Sequence, residues 1–376
     1  MFAFSRNSKG IIANWWWTVD KVLLTCLTLI IIIGIFLNFT ASPAVANRIG
    51  FDSYHFVKRQ IFFLPITYGL MVLISMQRLK TIRRIAIIGY VITLFLLLLT
   101  IFGGYETKGA SRWIKILGFS LQPSEFAKPT FIVVSAWLFD GQMKNKNFPG
   151  NIISFLLFGL TAGLLILQPD FGMTIVLTLI WLFQFFLSGL SITLVAILVF
   201  GCLIMGVLAY FTLDHVHTRI QQFLDNENNL SFQIKKSIEA FQSGNIFGRG
   251  PGEGIVKAHI PDAHTDFIFA VAAEEFGIFL CFIIIGLFSI VVVRSMILSM
   301  KDNNFFIILS ASGLSASFGL QAIINMASTV HLIPTKGMTL PFISYGGSSL
   351  LATALGMGIL LAVTRRNVHA EDKDDE

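Results

Sequence analysis

The run Ile260-Pro261-Asp262-Ala263-His264-Thr265-Asp266-Phe267-Ile268-Phe269-Ala270 sets two carboxylates and an imidazole close together, then enters a long apolar segment. Charge at the mouth of a membrane helix is costly to keep and marks a functional site by default. Phe267 and Phe269 supply the apolar surroundings in which desolvation makes a carboxylate such as Asp266 a better general base. Two other readings stand beside this one. Asp266 is also placed to cap the following helix. His259, Asp262, His264 and Asp266 are donor types that suit divalent cations, although no His-Glu-x-x-His helix or fixed ligand spacing accompanies them.

Five more constellations could take part. In Gln122-Pro123-Ser124-Glu125-Phe126-Ala127-Lys128-Pro129, Pro123 suits a first helical turn, and Glu125 and Lys128 fall on one face three residues apart. They make either a structural ion pair or a phosphate-holding cation oriented by a carboxylate. Gly109-Ala110-Ser111-Arg112-Trp113 sets a guanidinium beside an aromatic ring, suited to a pyrophosphate or a sugar face, or to anchoring at the interface. Gln168-Pro169-Asp170-Phe171-Gly172 is a turn that presents Asp170. Pro334-Thr335-Lys336-Gly337-Met338-Thr339-Leu340-Pro341-Phe342-Ile343-Ser344-Tyr345-Gly346-Gly347-Ser348-Ser349 leads a Gly/Ser-rich stretch, with Lys336 and Ser344, into a helix. Such an entry can offer backbone N–H groups to phosphate or simply pack tightly. Glu274 and Glu275 lie about two helical turns past Asp266, deep enough that at least one must face the bundle or a wet cavity.

The elements that must position these residues are membrane helices. The 376 residues are 55% hydrophobic and 13% charged, with a mean hydropathy of +0.77. Soluble domains carry roughly 25% charged residues, so a soluble globular class is excluded. Apolar runs long enough to cross a bilayer recur along the chain, at 21–41, 60–76, 84–103, 124–140, 150–167, 172–188, 192–212, 267–293, 304–329 and 346–364. The fold class expected is an all-α polytopic membrane protein of about ten transmembrane helices. A cytoplasmic segment 1–20 precedes the membrane domain 21–366, and an acidic cytoplasmic tail 367–376 follows it. Arg6 and Lys9 read as a retained inside flank rather than part of a cleaved signal, and Trp15-Trp16-Trp17 as an interfacial anchor.

With both termini inside, the short inner loops carry Arg78, Lys80, Arg83, Arg84, Lys144, Lys146, Arg294 and Lys301, as the positive-inside rule requires. Outer cations at Arg48, Lys58, Arg59, Lys108, Arg112, Lys115 and Lys336 break the trend and would suit an anionic ligand or lipid headgroups. The large outer loop 213–266 predicts an amphipathic interfacial helix with Ile234, Ile238 and Phe241 on one face, ended by Gly244. Gly248-Arg249-Gly250-Pro251-Gly252-Glu253-Gly254 follows, turn-rich enough to let backbone approach a ligand, but without the Lys-Ser/Thr ending of a P-loop. No nucleotide cofactor and no nucleic-acid partner are indicated. Cys26, Cys202 and Cys281 sit in apolar runs and read as packing residues. Small residues from Ser310 to Gly319 predict close packing of the ninth span.

Taken in order, Gly-Ala-Ser-Arg-Trp, Gln-Pro-Ser-Glu-Phe-Ala-Lys, Gln-Pro-Asp-Phe-Gly, Ala-His-Thr-Asp-Phe-Ile-Phe-Ala with Glu-Glu-Phe-Gly, and Pro-Phe-Ile-Ser-Tyr-Gly-Gly-Ser-Ser resemble the SEDS family of peptidoglycan polymerases, from about Val22 to Arg366. Pro334–Pro341 looks more like the division member than the elongation member. The resemblance implies a ten-helix glycosyltransferase of the bacterial cytoplasmic (inner) membrane, at the division septum, that polymerises lipid II into glycan strands. It implies Asp266 as the essential residue, a general base on the acceptor 4-hydroxyl in an inverting attack. Arg112 and Lys128 would hold the undecaprenyl pyrophosphate leaving group, helped by Lys336 or a divalent cation (Mg or Mn). Trp113, Glu125, Asp170, His264 and Ser344 would line the substrate cavity. The implied partners are a class B penicillin-binding protein and other divisome proteins. The rival readings are a lipid II flippase and a non-catalytic scaffold that recruits a transpeptidase.

Overall fold

The computed structural model describes residues 10–107, 110–116, 119–189, 192–212, 214–224 and 232–366. Arg6, Lys9, Lys108, Gly109 and the acidic tail lie outside the described residues. A short helix α1 (Ile11–Thr18) is followed by α2 (Lys21–Arg48), α3 (His55–Ser75) and α4 (Leu79–Gly103). Strands β1 (Tyr105–Thr107), β2 (Ala110–Ile116) and β3 (Phe119–Leu121) lead to α5 (Pro123–Lys144), α6 (Gly150–Leu167), α7 (Phe171–Leu187) and α8 (Ile192–Thr212). Then come α9 (Asp214–Leu224), α10 (Phe232–Gly244), a 3-10 turn (Val256–His259), α11 (Ile268–Ser299), α12 (Phe305–Thr329) and α13 (Gly347–Val363).

All ten apolar runs are helices. Seven are long and apolar enough to cross a membrane by length and composition. α7 and α13 are shorter apolar helices of 17 residues each, and α5 carries Glu125, Lys128, Asp140 and Lys144. Helix starts are set locally. Asp20 accepts from the amide of Leu23 at 2.9 Å and caps α2, Asn304 accepts from Phe306 at 3.1 Å and caps α12, and Pro123 opens α5.

Contacts near the termini define one face of the bundle. Asp20 pairs with Arg294 at 2.8 Å, Trp15 Nε1 donates to Ser75 Oγ at 2.8 Å, and the amide of Arg366 donates to the carbonyl of Thr18 at 2.9 Å. The starts of α2 and α4, and the ends of α3, α11 and α13, therefore share this face. The starts of α5, α7 and α11 share the opposite face, the outer one in the orientation expected from the sequence, as serial crossing demands.

Two connecting segments carry structure of their own. The connection from α4 to α5 is a three-stranded antiparallel sheet in the order β1-β2-β3, pairing Tyr105 with Trp113 and Lys115 with Ser120. Its short strands lack a clean hydrophobic alternation, so periodicity alone does not find them. The amphipathic helix exists as α10, and one face of it is docked on the bundle. Ile234, Ser237, Ala240 and Gly244 form its buried face, while Ile238 and Phe241 are half-buried. A Cβ at Gly244 would lie 1.9 Å from the carbonyl oxygen of Ala273, so Gly244 is a packing contact with α11. Ser237 Oγ also donates to the carbonyl of Thr329 at 2.7 Å. α12 is central, with 67% of its apolar span buried, and reaches the outer loops through Gln321 and Asn325.

Candidate active site

Asp266 stands in the last turn before α11, held by its backbone from three directions. The amides of Thr265 and Asp266 donate to the carbonyl of Asp262, at 3.0 and 3.1 Å, and Asp262 takes a left-handed φ of +56° to make the turn. Asn325 of α12 donates through Nδ2 to the carbonyls of Asp266 (2.9 Å) and Met338 (2.6 Å), fastening this turn to the loop before α13. Ser344 repeats the fastening. Its Oγ donates to the carbonyl of Thr265 at 2.5 Å and accepts from the amide of Leu340 at 2.8 Å. The carboxylate of Asp266 consequently faces Gly337, where a Cβ would lie 3.1 Å from Oδ2.

His264 is buried between Phe56 (ring centroids 4.4 Å apart) and Tyr345 (5.4 Å), and its carbonyl accepts from the amide of Tyr345 at 2.9 Å. Burial pushes the imidazole pKa down to about 4, against a pull upward from Asp262 and with a further push down from Arg48. The ring is neutral at physiological pH and acts here as an aromatic packing piece. Ser344, 2% exposed, is likewise a latch between two loops.

The cations gather around the starts of α5 and α7. Lys128 Nζ lies 2.8 Å from Glu125 Oε2, as the spacing predicts, and donates to Gln321 Oε1 at 2.6 Å; all three side chains are buried. Gln321 passes the contact on, donating to the carbonyl of Thr339 at 3.1 Å. These residues border a small cavity of about 30 Å³ between α5, α12 and α13, room for a water molecule or so. Asp170 caps α7 through the amide of Met173 (3.4 Å) and lies 3.8 Å from Arg112 Nη1. Arg112, projecting from β2, also donates to the carbonyls of Gln168 (3.4 Å) and Pro169. Trp113, its neighbour on β2, is half-buried.

Lys336 completes the group. Its stem lies on Gly172 at the start of α7, so that a Cβ there would fall 1.5 Å from Lys336 Cε. Burial pushes its ammonium pKa down to about 7; Asp170 and Glu125 pull it up, and Lys128 and Arg112 push it down. The hydrogen bond recorded for Nζ is to Met338 Sδ at 3.0 Å, a weak acceptor. Lys128 and Arg112, in contrast, are engaged by carboxylate, amide or carbonyl oxygens. Lys336 is the cation of this group with the least to give up on meeting a phosphate, and it directly precedes the glycine that faces Asp266.

Residues that the sequence did not single out hold much of this together. Gln321 and Asn325 are polar residues in an apolar helix, which is itself a signal. Lys257, 5% exposed, pairs with Glu275. Glu274 and Glu275 are both buried and partnered by protein, Glu274 accepting from the amides of Val256 (2.7 Å) and Lys257 (2.8 Å). The glycine-rich run approaches α11 on one side and borders an open cavity of about 410 Å³ on the other, where Pro251, Gly252 and Gly254 meet Phe39, Thr40 and Tyr54. Cβ atoms at Gly248 and Gly254 would lie 2.2 Å from the carbonyl of Glu275 and 3.0 Å from the Glu274 carboxylate. His259 is exposed, with Nδ1 3.3 Å from the carbonyl of Ile255. Among the described residues no three His, Cys, Asp or Glu side chains converge on a point where a metal would sit. Glu125 and Asp170 each stand beside a cation instead. The donor set therefore does not fit a protein-built metal site.

The family model for cell cycle proteins FtsW, RodA and SpoVE matches residues 20–369. A probable peptidoglycan glycosyltransferase FtsW of Caulobacter vibrioides is 44% identical over 366 residues, covering 97% of this chain and 94% of the relative. Another, of Trichlorobacter lovleyi, is 36% identical, covering 92% and 93%. Among solved structures, a chain of a peptidoglycan synthase complex that coordinates polymerization and crosslinking superposes with a TM-score of 0.77 at 25% identity, covering 93% of this chain and 98% of that one. The rod shape determining protein RodA of Thermus thermophilus gives a TM-score of 0.67 at 25% identity, covering 93% and 97%. Sequence motifs, helix order and these likenesses agree: the chain is a membrane protein that belongs to the FtsW/RodA/SpoVE family of cell cycle proteins, the SEDS family.

Proposed function

We propose that this protein is a peptidoglycan glycosyltransferase of the division type, polymerising lipid II into glycan strands with Asp266 as general base. The observation that carries the reading is the meeting of a carboxylate and a cation cluster at one membrane face. Asp266 lies against Gly337, while Lys336, one residue away, reaches over α7 toward Asp170, Arg112, Lys128 and Glu125. A lipid-linked donor keeps its tail in the bilayer while its sugars sit at that face. Asp266 removes the proton from the acceptor 4-hydroxyl, whose oxygen attacks the donor anomeric carbon and inverts it. The bond to undecaprenyl pyrophosphate breaks, and the leaving group carries away the electron pair. Preorganised cations stabilise the developing charge. The geometry favours Lys336 for this role ahead of Arg112 and Lys128, which hold the cavity wall in shape with Asp170 and Glu125. A Mg or Mn ion would arrive as company of the pyrophosphate, and no step depends on it.

The flippase reading needs a polar route through the membrane. Below the site, the polar seam is packed shut. Gln184 Nε2 donates to the carbonyls of Ile132 (3.0 Å) and Leu309 (3.1 Å), its Oε1 accepts from Ser135 Oγ (2.6 Å), and a Cβ at Gly313 would lie 2.6 Å from Nε2. These bonds satisfy the seam internally, which favours chemistry at one face over carriage across it. A class B penicillin-binding protein as partner, other divisome proteins, and residence at the septum of the cytoplasmic membrane complete the proposal. Purified protein incubated with lipid II, alone and with the partner transpeptidase, should yield glycan polymers. Movement of lipid II between leaflets of a proteoliposome with no polymer under either condition would favour the flippase.

A further inference from the structure

α11 is two helices in line. Gly277, with φ +76° and ψ −178°, separates an outer half that begins just after Asp266 from a long inner half. The segment Asn245–Gly250 closes the break from both sides. The carbonyls of Asn245 and Ile246 accept from the amides of Ile278 (3.1 Å) and Phe279 (3.2 Å), while the amides of Arg249 and Gly250 donate to the carbonyls of Glu274 (3.0 Å) and Glu275 (2.9 Å). A Cβ at Gly277 would lie 2.1 Å from the carbonyl oxygen of Ile246, so the position admits only glycine.

The outer half-helix thus has Asp266 at its entry and Glu274 and Glu275 at its exit, and the exit is tied back to the chain that precedes Asp266. Glu274 holds the amides of Val256 and Lys257. Lys257 Nζ pairs with Glu275 and donates to the carbonyls of Thr40 in α2 (2.9 Å) and Gly252 (3.3 Å). The paired residues are 18 apart in sequence, and Asp266 is the residue midway between them. Their side chains are 7% and 0% exposed. Buried ion pairs stabilise little compared with well-packed apolar groups. Glu275 Oε2 moreover has no hydrogen-bond partner among the described residues, so stability is a poor account of this pair.

We infer that Lys257 and Glu275 are positioning residues for the glycosyl transfer. Their ion pair clips shut the ring of chain that carries Asp266 and, through Thr40, registers that ring on α2, fixing the carboxylate against Gly337. The inference rests on Asp266 being the base.

The test measures kcat and KM for lipid II polymerisation, together with thermal unfolding in detergent, for Lys257→Met, Glu275→Gln, the double variant Lys257→Met/Glu275→Met, and Lys257→Arg. Asp266→Asn in the unaltered background is run beside them. A small misplacement of a catalytic group costs about 10²-fold, so both single variants should lose about that factor in kcat with KM unchanged. Each single variant leaves one buried charge unpaired and is destabilised for that reason. The apolar double variant removes that penalty: its melting temperature should return while kcat stays low. Lys257→Arg, which keeps the charge and the donors, should recover kcat where the double variant does not. Recovery of kcat together with melting temperature in the double variant, or a double variant more active than Lys257→Arg, would reduce the pair to a stability element and overturn the inference. An active Asp266→Asn would instead remove the base assignment, a separate failure.

Discussion

The carboxylate of Asp266 and the backbone of Gly337 face each other so closely that a methyl group at 337 would stand 3.1 Å from Asp266 Oδ2. Gly337 also holds a left-handed φ of +69°. The loop before α13 is therefore one wall of the site.

Gly337→Ala should act twice. It crowds the carboxylate, and it places a side chain in a backbone region that costs about 1 kcal/mol for non-glycine residues. Polymerisation should fall about tenfold or more, in line with the sensitivity of catalysis to small misplacements, and the melting temperature should drop modestly. Assay of glycan synthesis beside thermal unfolding checks both. Unchanged kcat would move the reacting centre away from this contact.

Lys336 should make substrate use depend on pH. Its pKa, pushed down to about 7 by burial, means that the ammonium loses its proton as pH rises through neutrality. A pyrophosphate at the site favours the charged form, so Lys336 takes up a proton from solvent as the anion binds. KM for lipid II should therefore rise as pH increases from about 7 toward the ordinary Lys value near 10.4. Lys336→Arg stays protonated across this window and should flatten the dependence. The same KM profile for wild type and Lys336→Arg would separate Lys336 from the phosphate.

Lys128 and Glu125 are separable by a paired substitution. Lys128→Met leaves Glu125 as a buried unpaired carboxylate and should destabilise by about 3–5 kcal/mol. Glu125→Gln/Lys128→Met should recover that stability in thermal unfolding. If Lys128 contributes charge to the leaving group, polymerisation stays low in the refolded double variant. Full recovery of activity would make Lys128 a structural partner only.

Orientation can be read from labelling. Gln242, exposed on α10, replaced by Cys in a background whose native cysteines are removed, should react with an impermeant thiol reagent from outside the cell. Gly244, two residues on, is packed against Ala273 and is unsuitable. Reaction only after the membrane is opened would invert the topology and with it the mechanism.

Much of this architecture is legible in the sequence because hydrophobic runs fix membrane helices with little help from tertiary context. The Glu125–Lys128 pair follows from helical spacing, and Asp170 from its turn. Other features depend on long-range contact. Nothing local to Gly248–Gly254 says that Gly248 admits the backbone of α11 at Glu275. Lys257 lies in a loop that reads as exposed until Glu275 and Thr40 come to it from other helices. His264 and Ser344 are marked as cavity residues through the family resemblance; long-range packing is what sets the first between Phe56 and Tyr345 and bonds the second to Thr265 and Leu340. Lys336 stands out in the sequence as an outer-loop cation suited to an anion, but its neighbours are not legible there. Only its path across Gly172 brings it among Asp170, Lys128 and Arg112.

The central claim is that the Asp266 carboxylate accepts a proton. Asp266→Asn is nearly isosteric, and its backbone contacts with Asp262 and Asn325 do not involve the side chain. The variant should therefore insert, fold and bind lipid II. A general base contributes about 10²–10⁴-fold, so the rate of glycan polymerisation by purified Asp266→Asn protein should fall by that factor or to nothing. Glycan strands made at the wild-type rate by a folded, lipid II-binding Asp266→Asn protein would contradict the account.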